Sequence, residues 1–178
     1  MKHQANKCER IAKIIARAGL ASRRESEKLI LDGRVKVNGK TINSPALNLT
    51  KNDVIEVDGK LLLPPDQTRL WIYNKPVGLV STSKDEKNRP TIFDNLPKEL
   101  PRVVSIGRLD LNSEGLLLLT NDGELKRRLE LPSTGWLRRY RVRVKGKLKD
   151  SMLEPLRHGI FVEGTHFKPM DVSFDRQT

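Results

Sequence analysis

The stretch Gly107-Arg108-Leu109-Asp110-Leu111-Asn112-Ser113-Glu114-Gly115 runs directly into the four leucines Leu116 to Leu119 and the turn Thr120-Asn121-Asp122-Gly123. Four consecutive leucines predict an apolar strand, and the polar segment before them, bounded by two glycines, predicts a loop. Asp110 falls where that loop approaches the strand, so a packed element anchors a segment that presents one carboxylate. Rigid support under an exposed acid suits catalysis. The other reading of Asp110, with Asn112 and Ser113 after it, is an Asx turn or a helix cap.

Size and charge frame that loop. The chain has 178 residues and a net charge of +12. Residues 1–66 carry 13 Lys and Arg against 8 Asp and Glu, and residues 67–178 carry 21 against 14, so both parts are basic. A positive excess spread over two modules suits a polyanion laid across them, because each phosphate neutralised releases condensed counterions. Nucleic acid is therefore the expected partner, against the alternative of a basic surface with no ligand. Cys8 is the only cysteine, which excludes an intrachain disulfide and a cysteine-based metal cluster and fits a reducing compartment. No run approaches the roughly 18 apolar residues of a membrane span, and the N-terminus is polar and basic. We expect a cytoplasmic protein that meets no membrane. His3, His158 and His166 are scattered, and there is no glycine-rich phosphate loop, so no metal and no small-molecule cofactor are expected.

Toward the N-terminus, Ile11, Ile14, Ile15 and Ala18 recur at helical spacing up to Gly19. Ser22 with Glu25 three residues later spells a capping box for a second helix, with Leu29, Ile30 and Leu31 on its apolar face and Asp32-Gly33 at its end. Arg34-Val35-Lys36-Val37-Asn38-Gly39-Lys40 alternates charge with valine and turns at Asn-Gly, which predicts a hairpin strand. Val54, Ile55 and Val57 offer another. Two short helices joined by Gly19-Leu20-Ala21 are compatible with a DNA-binding helix-turn-helix. The ordered set Ser22-Arg23-Arg24 and Gly33 to Gly39, however, resembles the small RNA-binding domain named after ribosomal protein S four, over about residues 8–58. That resemblance implies RNA contacts at Ser22, Arg23, Arg24, Lys28, Arg34 and Lys36; a solvated helix face is the plainer reading of the same residues.

Asp58-Gly59-Lys60 leaves the last small strand, and Leu61 to Asp66 contains two prolines that interrupt pairing. We therefore expect a first domain over 1–60, a linker over 61–68 and a second domain over 69–178. Leu70-Trp71-Ile72-Tyr73 has strand composition and enters the turn Asn74-Lys75-Pro76-Val77-Gly78. Lys75 at the strand end is either a solvated lysine or a cation where a phosphate passes. Arg89-Pro90, Leu96-Pro97 and Leu100-Pro101 preclude long elements between residues 79 and 104. Glu124 to Leu131 predicts a short helix. In Arg139-Tyr140-Arg141-Val142-Arg143-Val144-Lys145, alternation predicts a strand with Tyr140, Val142 and Val144 on a core face and the cations on the other.

Gly107 to Asp110, Glu114 to Gly123, Asn74 to Gly78 and Tyr140 occur in the order of one family. They resemble the RsuA/RluB group of ribosomal RNA pseudouridine synthases, which joins the same RNA-binding domain to a catalytic domain. Leu129-Glu130-Leu131-Pro132-Ser133-Thr134 leans toward the RluB branch, which acts on large-subunit RNA. The resemblance implies an α+β fold, with a helix-rich binding domain followed by a mixed, largely antiparallel sheet. It also implies a reaction without metal or organic cofactor that detaches uracil from ribose, rotates it and reconnects it through carbon five. Asp110 is then the catalytic carboxylate, Arg108 contacts phosphate or helps extrude the base, and Tyr140 stacks on the uracil; Lys75 joins the RNA-binding set. Ribosomal RNA is the implied partner, and we expect a monomer. Nothing after Met170 matches the strand and basic segment that complete the family's sheet, so the catalytic domain is expected to be C-terminally incomplete. A non-catalytic RNA-binding or ribosome-assembly protein is the alternative function.

Overall fold

The computed structural model describes residues 8–174. They mix helix and sheet and fall into two compact units, the first ending at Trp136 and the second beginning at Leu137.

The first unit contains two hydrophobic cores. Strand β1 (Glu9–Arg10) leads into helix α1 (Ile11–Arg17), which buries Ile11, Ala12 and Ile15, and α2 (Arg23–Leu31) buries Ser26 and Ile30. Helix α2 starts where the sequence places it. The Ser22 hydroxyl accepts from the Glu25 N–H at 3.2 Å, and the Glu25 carboxylate accepts from the Ser22 N–H at 2.7 Å. The helices cover a sheet of β2 (Val35–Val37), β3 (Lys40–Ile42), β5 (Ile55–Val57) and β6 (Lys60–Leu61), in the order β3-β2-β5-β6, while β4 (Asn48–Leu49) pairs with β1. Val35, Val37, Ile55 and Val57 face the helices by strand alternation. Two-residue turns join β2 to β3 and β5 to β6. Asn38 (φ 50°) with Gly39 (φ 78°), and Asp58 (φ 52°) with Gly59 (φ 74°), supply the paired positive φ angles such turns need. The second turn corrects the expectation that pairing stops at Asp58, since Leu61 still pairs with Glu56.

The second core lies under a three-stranded antiparallel sheet of β7 (Leu70–Lys75), β8 (Val104–Ile106) and β9 (Gly115–Thr120), in the order β7-β9-β8. The leucine run is the middle strand, with Leu117 and Leu119 buried against Leu79, Ile92 and Val103. Helix α3 (Gly123–Glu130) follows at once, capped by the Asp122 carboxylate, which accepts from the N–H groups of Glu124 and Leu125. Between β7 and β8, the proline-spaced segment makes one short 3-10 turn, Ile92–Asn95, closed by reciprocal bonds between Thr91 and Asp94. The expected linker is tied down at its end: the Arg69 N–H donates to the Asn121 side chain at 2.8 Å, and the Thr68 hydroxyl donates to Asp122 at 2.8 Å. Lys13 of α1 also pairs with Glu124 of α3, so the two cores share one compact unit.

In the second unit, a 3-10 turn at Asp150–Met152 precedes α4 (Glu154–His158) and the hairpin of β10 (Ile160–Val162) and β11 (Thr165–Phe167). Arg157 holds it together through two bonds to Asp150 and one each to Glu154 and the Val172 carbonyl. Residues 139–144 form no strand among the described residues, and Tyr140, Val142 and Val144 are exposed by 63%, 73% and 51%. The expected core face is therefore corrected. Alternation gives a segment two different faces, but a strand exists only where a second strand supplies the ladder, and no described strand pairs with this one.

Candidate active site

Alternation along β7 turns Leu70, Ile72 and Asn74 outward and Trp71, Tyr73 and Lys75 toward the core. Lys75 consequently ends the strand fully buried. Its ammonium donates to the carbonyls of Pro76 at 3.0 Å, Asp110 at 3.0 Å and Ser113 at 2.7 Å, which uses all three of its N–H groups. Burial lowers its pKa, and the Asp110 charge opposes that shift only in part. These contacts correct the expectation of a cation offered to a passing phosphate: Lys75 is committed to the backbone of the Asp110 loop.

The same segment binds that loop at two further points. The Gly78 N–H donates to the Leu111 carbonyl at 2.8 Å. The Ser81 hydroxyl donates to the Leu109 carbonyl at 2.7 Å and accepts from the Leu109 N–H at 3.1 Å. A local turn adds the bond from the Ser113 N–H to the Asp110 carbonyl at 3.0 Å. On the other flank, the Gly107 N–H donates to Glu130 of α3 at 2.7 Å, and Lys126 bridges Glu130 to the Ser105 carbonyl. The backbone is thus held at residues 107, 109, 110, 111 and 113. Leu109 packs on the second core, while its neighbours Arg108 and Asp110 are exposed. A fixed loop with an inward peg between two outward charged side chains can present an acid and a cation at constant geometry. Among the described residues the Asp110 carboxylate accepts no hydrogen bond, which leaves both oxygens open to a substrate.

Tyr140 belongs to the second unit, in the exposed segment without regular structure. The sequence reasoning missed Ser81, Gly78 and the Lys126–Glu130 brace. Only the burial of Lys75 had a signal, since counting by two from Trp71 reaches it.

The expected RNA-contact residues sit on the first core. Arg23 and Arg24 open α2 and are exposed; Lys28 follows Arg24 by one turn on the same helix face. Lys36 lies on the open side of β2, between the inward Val35 and Val37. Arg34 is held by Asp58 through two bonds of 2.7 and 2.6 Å, and the bonds from Arg34 lower the Asp58 pKa. Ser22 has its hydroxyl engaged in the helix cap. Two cations in the first turn of a helix oppose its dipole, a local electrostatic cost that a bound anion offsets. No helix among the described residues is long and apolar enough to cross a membrane.

Comparison with known proteins places this arrangement. A solved pseudouridylate synthase matches 90% of the chain, over 70% of its own length, with a TM-score of 0.53 and 27% identity. The fold is thus that of a class of RNA-modifying isomerases. Family models described as S4 domain and RNA pseudouridylate synthase match residues 9–55 and 69–172, and the chain belongs to the RNA pseudouridylate synthase family, an isomerase family, with an S4 RNA-binding domain preceding the synthase domain. An uncharacterized RNA pseudouridine synthase of Rickettsia felis is 52% identical over 169 residues, covering 95% of this chain and 73% of that protein. The ribosomal large subunit pseudouridine synthase B of Pseudomonas aeruginosa is 43% identical over 169 residues, covering 92% of this chain and 44% of that protein.

Proposed function

We propose that the chain isomerises a uridine of ribosomal RNA, in the large subunit, to pseudouridine, with Asp110 as the catalytic carboxylate. The observation that carries this reading is the loop itself: an exposed acid on a backbone fastened at five residues, in a synthase-family chain. The large-subunit substrate rests on the relative named for that activity. In the reaction the C1′–N1 bond breaks, a C1′–C5 bond forms, and the proton leaving C5 is balanced by one gained at N1. Atoms and electrons are conserved, so the isomerisation as written needs no oxidant or reductant. Asp110 as the carboxylate anion either attacks C1′ or assists formation of a glycal intermediate. The uridine must leave its stack to be reached; Arg108 then meets the adjacent phosphate, and Tyr140 stacks on the uracil.

In this reading residues 1–60 grip the RNA through Arg23, Arg24, Lys28, Arg34 and Lys36, with Ser22 setting the start of α2. Residues 61–68 link them to the catalytic part, residues 69–178, and Lys75 acts as a strut under Asp110 rather than as an RNA contact. The test is pseudouridine formation on unmodified large- and small-subunit RNA fragments by the wild-type chain and by Asp110→Asn. Product that depends on Asp110 and forms on the large-subunit fragment is expected. Full isomerisation by Asp110→Asn refutes the assignment, and RNA binding without product from either chain favours a non-catalytic RNA-binding protein.

A further inference from the structure

We infer that Ser81 is a positioning residue for the reaction: its one hydroxyl fixes the backbone from which Arg108 and Asp110 both emerge. The inference rests on the proposed role of Asp110. Ser81 is 9% exposed, and its Oγ both donates to the Leu109 carbonyl and accepts from the Leu109 N–H. That carbonyl belongs to the peptide joining Leu109 to Asp110, and that N–H belongs to the peptide joining Arg108 to Leu109. Holding both peptide planes sets φ and ψ of Leu109, and with them the directions in which its two exposed neighbours leave the chain.

The other anchors do not duplicate this one. Lys75 and Gly78 hold the carbonyls of Asp110, Leu111 and Ser113, on the far side of the acid, and Glu130 holds Gly107. Between Gly107 and Asp110, Ser81 is the side chain bonded to the loop backbone among the described residues. Its own position is firm, because the Val80 N–H donates to Pro90 and the Val80 carbonyl accepts from Ile92, a fully buried core residue. A hydroxyl suits the task because it donates and accepts through one atom, which neither a methyl group nor an ammonium does.

Removing the hydroxyl leaves the fold's cores and the remaining anchors in place but lets Leu109 rotate, and displacement of a reacting group by a fraction of an ångström to an ångström is costly in rate. Ser81→Ala is expected to lower kcat for pseudouridine formation on the order of 10- to 100-fold while changing KM for RNA less than about threefold. Ser81→Thr, which restores the hydroxyl, is expected to recover most of the rate. Measurements use the full chain, steady-state kinetics on the RNA fragment that the wild type modifies, and circular dichroism at the assay temperature to correct for any unfolded fraction. A corrected kcat for Ser81→Ala within twofold of wild type overturns the inference. So does an equal loss in Ser81→Ala and Ser81→Thr, which assigns the effect to packing. Asp110→Asn is run alongside: activity there removes the underlying reading, whereas an inactive Asp110→Asn beside a fully active Ser81→Ala removes this inference alone.

Discussion

Replacing Lys75 by methionine keeps the apolar stem and removes the ammonium that joins β7 to the Asp110 loop. Three bonds disappear, to the carbonyls of Pro76, Asp110 and Ser113. Bonds from a charged donor are worth more than neutral ones, but burial lowers the Lys75 pKa, so that surplus goes to desolvating the charge. The neutral scale of about 0.5–1.5 kcal/mol per bond therefore applies, and three bonds give a loss of about 1.5–4.5 kcal/mol. For a chain of 178 residues, each kcal/mol corresponds to roughly 2–4 °C in Tm, so a central loss of about 3 kcal/mol lowers Tm by about 6–12 °C. Differential scanning calorimetry checks it, and a fall smaller than about 2 °C would show that the ammonium is not the strut described here. The pH dependence supplies a second check with a definite sign. A lysine with a depressed folded pKa binds fewer protons folded than unfolded between the two values, so wild-type stability rises with pH there relative to Lys75→Met. The gap between the two proteins is expected to widen as pH climbs from the folded value toward the unfolded value of about 10.4. Lys75→Arg is not expected to rescue, because a planar fork cannot converge on three carbonyls as an ammonium does.

Asp122 tests the cap of α3. Burial raises its pKa, but the Thr68 hydroxyl and the N–H groups of Glu124 and Leu125 outweigh that and lower it overall. Its stabilisation is present above the unfolded value of about 3.9 and is lost as pH falls through the lower folded value. Asp122→Asn is therefore expected to melt below wild type at neutral pH and to converge with it in acid; a gap that stays constant across a pH series of thermal scans contradicts this account. The double change Arg24→Ala with Lys28→Ala is expected to weaken RNA binding and to reduce the slope of log K against log salt by about 1.4–1.8, as for two lost phosphate contacts. Its Tm should change little, since Arg24 at the start of α2 opposes the helix dipole while Lys28 in the last turn favours it. Binding isotherms at several salt concentrations decide it, and an unchanged slope removes these two residues from the interface.

What the sequence disclosed was what short-range rules govern. The capping box at Ser22, the Asn38-Gly39 turn and the leucine strand each depend on residues within about a helical turn or a hairpin of one another, and each reads correctly. The same rule applied to Asp58-Gly59 finds β6, which the reading of Asp58-Gly59-Lys60 as the exit from the last strand passed over. Strand β8 stayed hidden because Val104, Ser105 and Ile106 are too few to show a period beside Pro101. Residues 139–145 failed in the opposite direction: their alternation is clear, yet pairing depends on a partner that periodicity does not report.

The candidate site divides along the same line. Asp110 was legible as an exposed group on an anchored loop, because glycines, polar residues and the following leucines lie beside it, whereas Arg108 was singled out through the family resemblance. The groups that hold the loop were not legible, because they act across the chain: Ser81 lies 28 residues from Leu109, and Lys75 lies 38 from Ser113. Both are polar residues that hydropathy assigns to the surface, and both are buried because their hydrogen bonds are complete. Backbone carbonyls are common to every sequence, so a lysine that serves three of them leaves no pattern of matching side chains to find. Rigidity at such a site is therefore encoded by isolated polar residues in an adjacent strand and turn, and it becomes readable only when antiparallel pairing of β7 with β9 sets Lys75 opposite Gly115, at the end of the loop it supports.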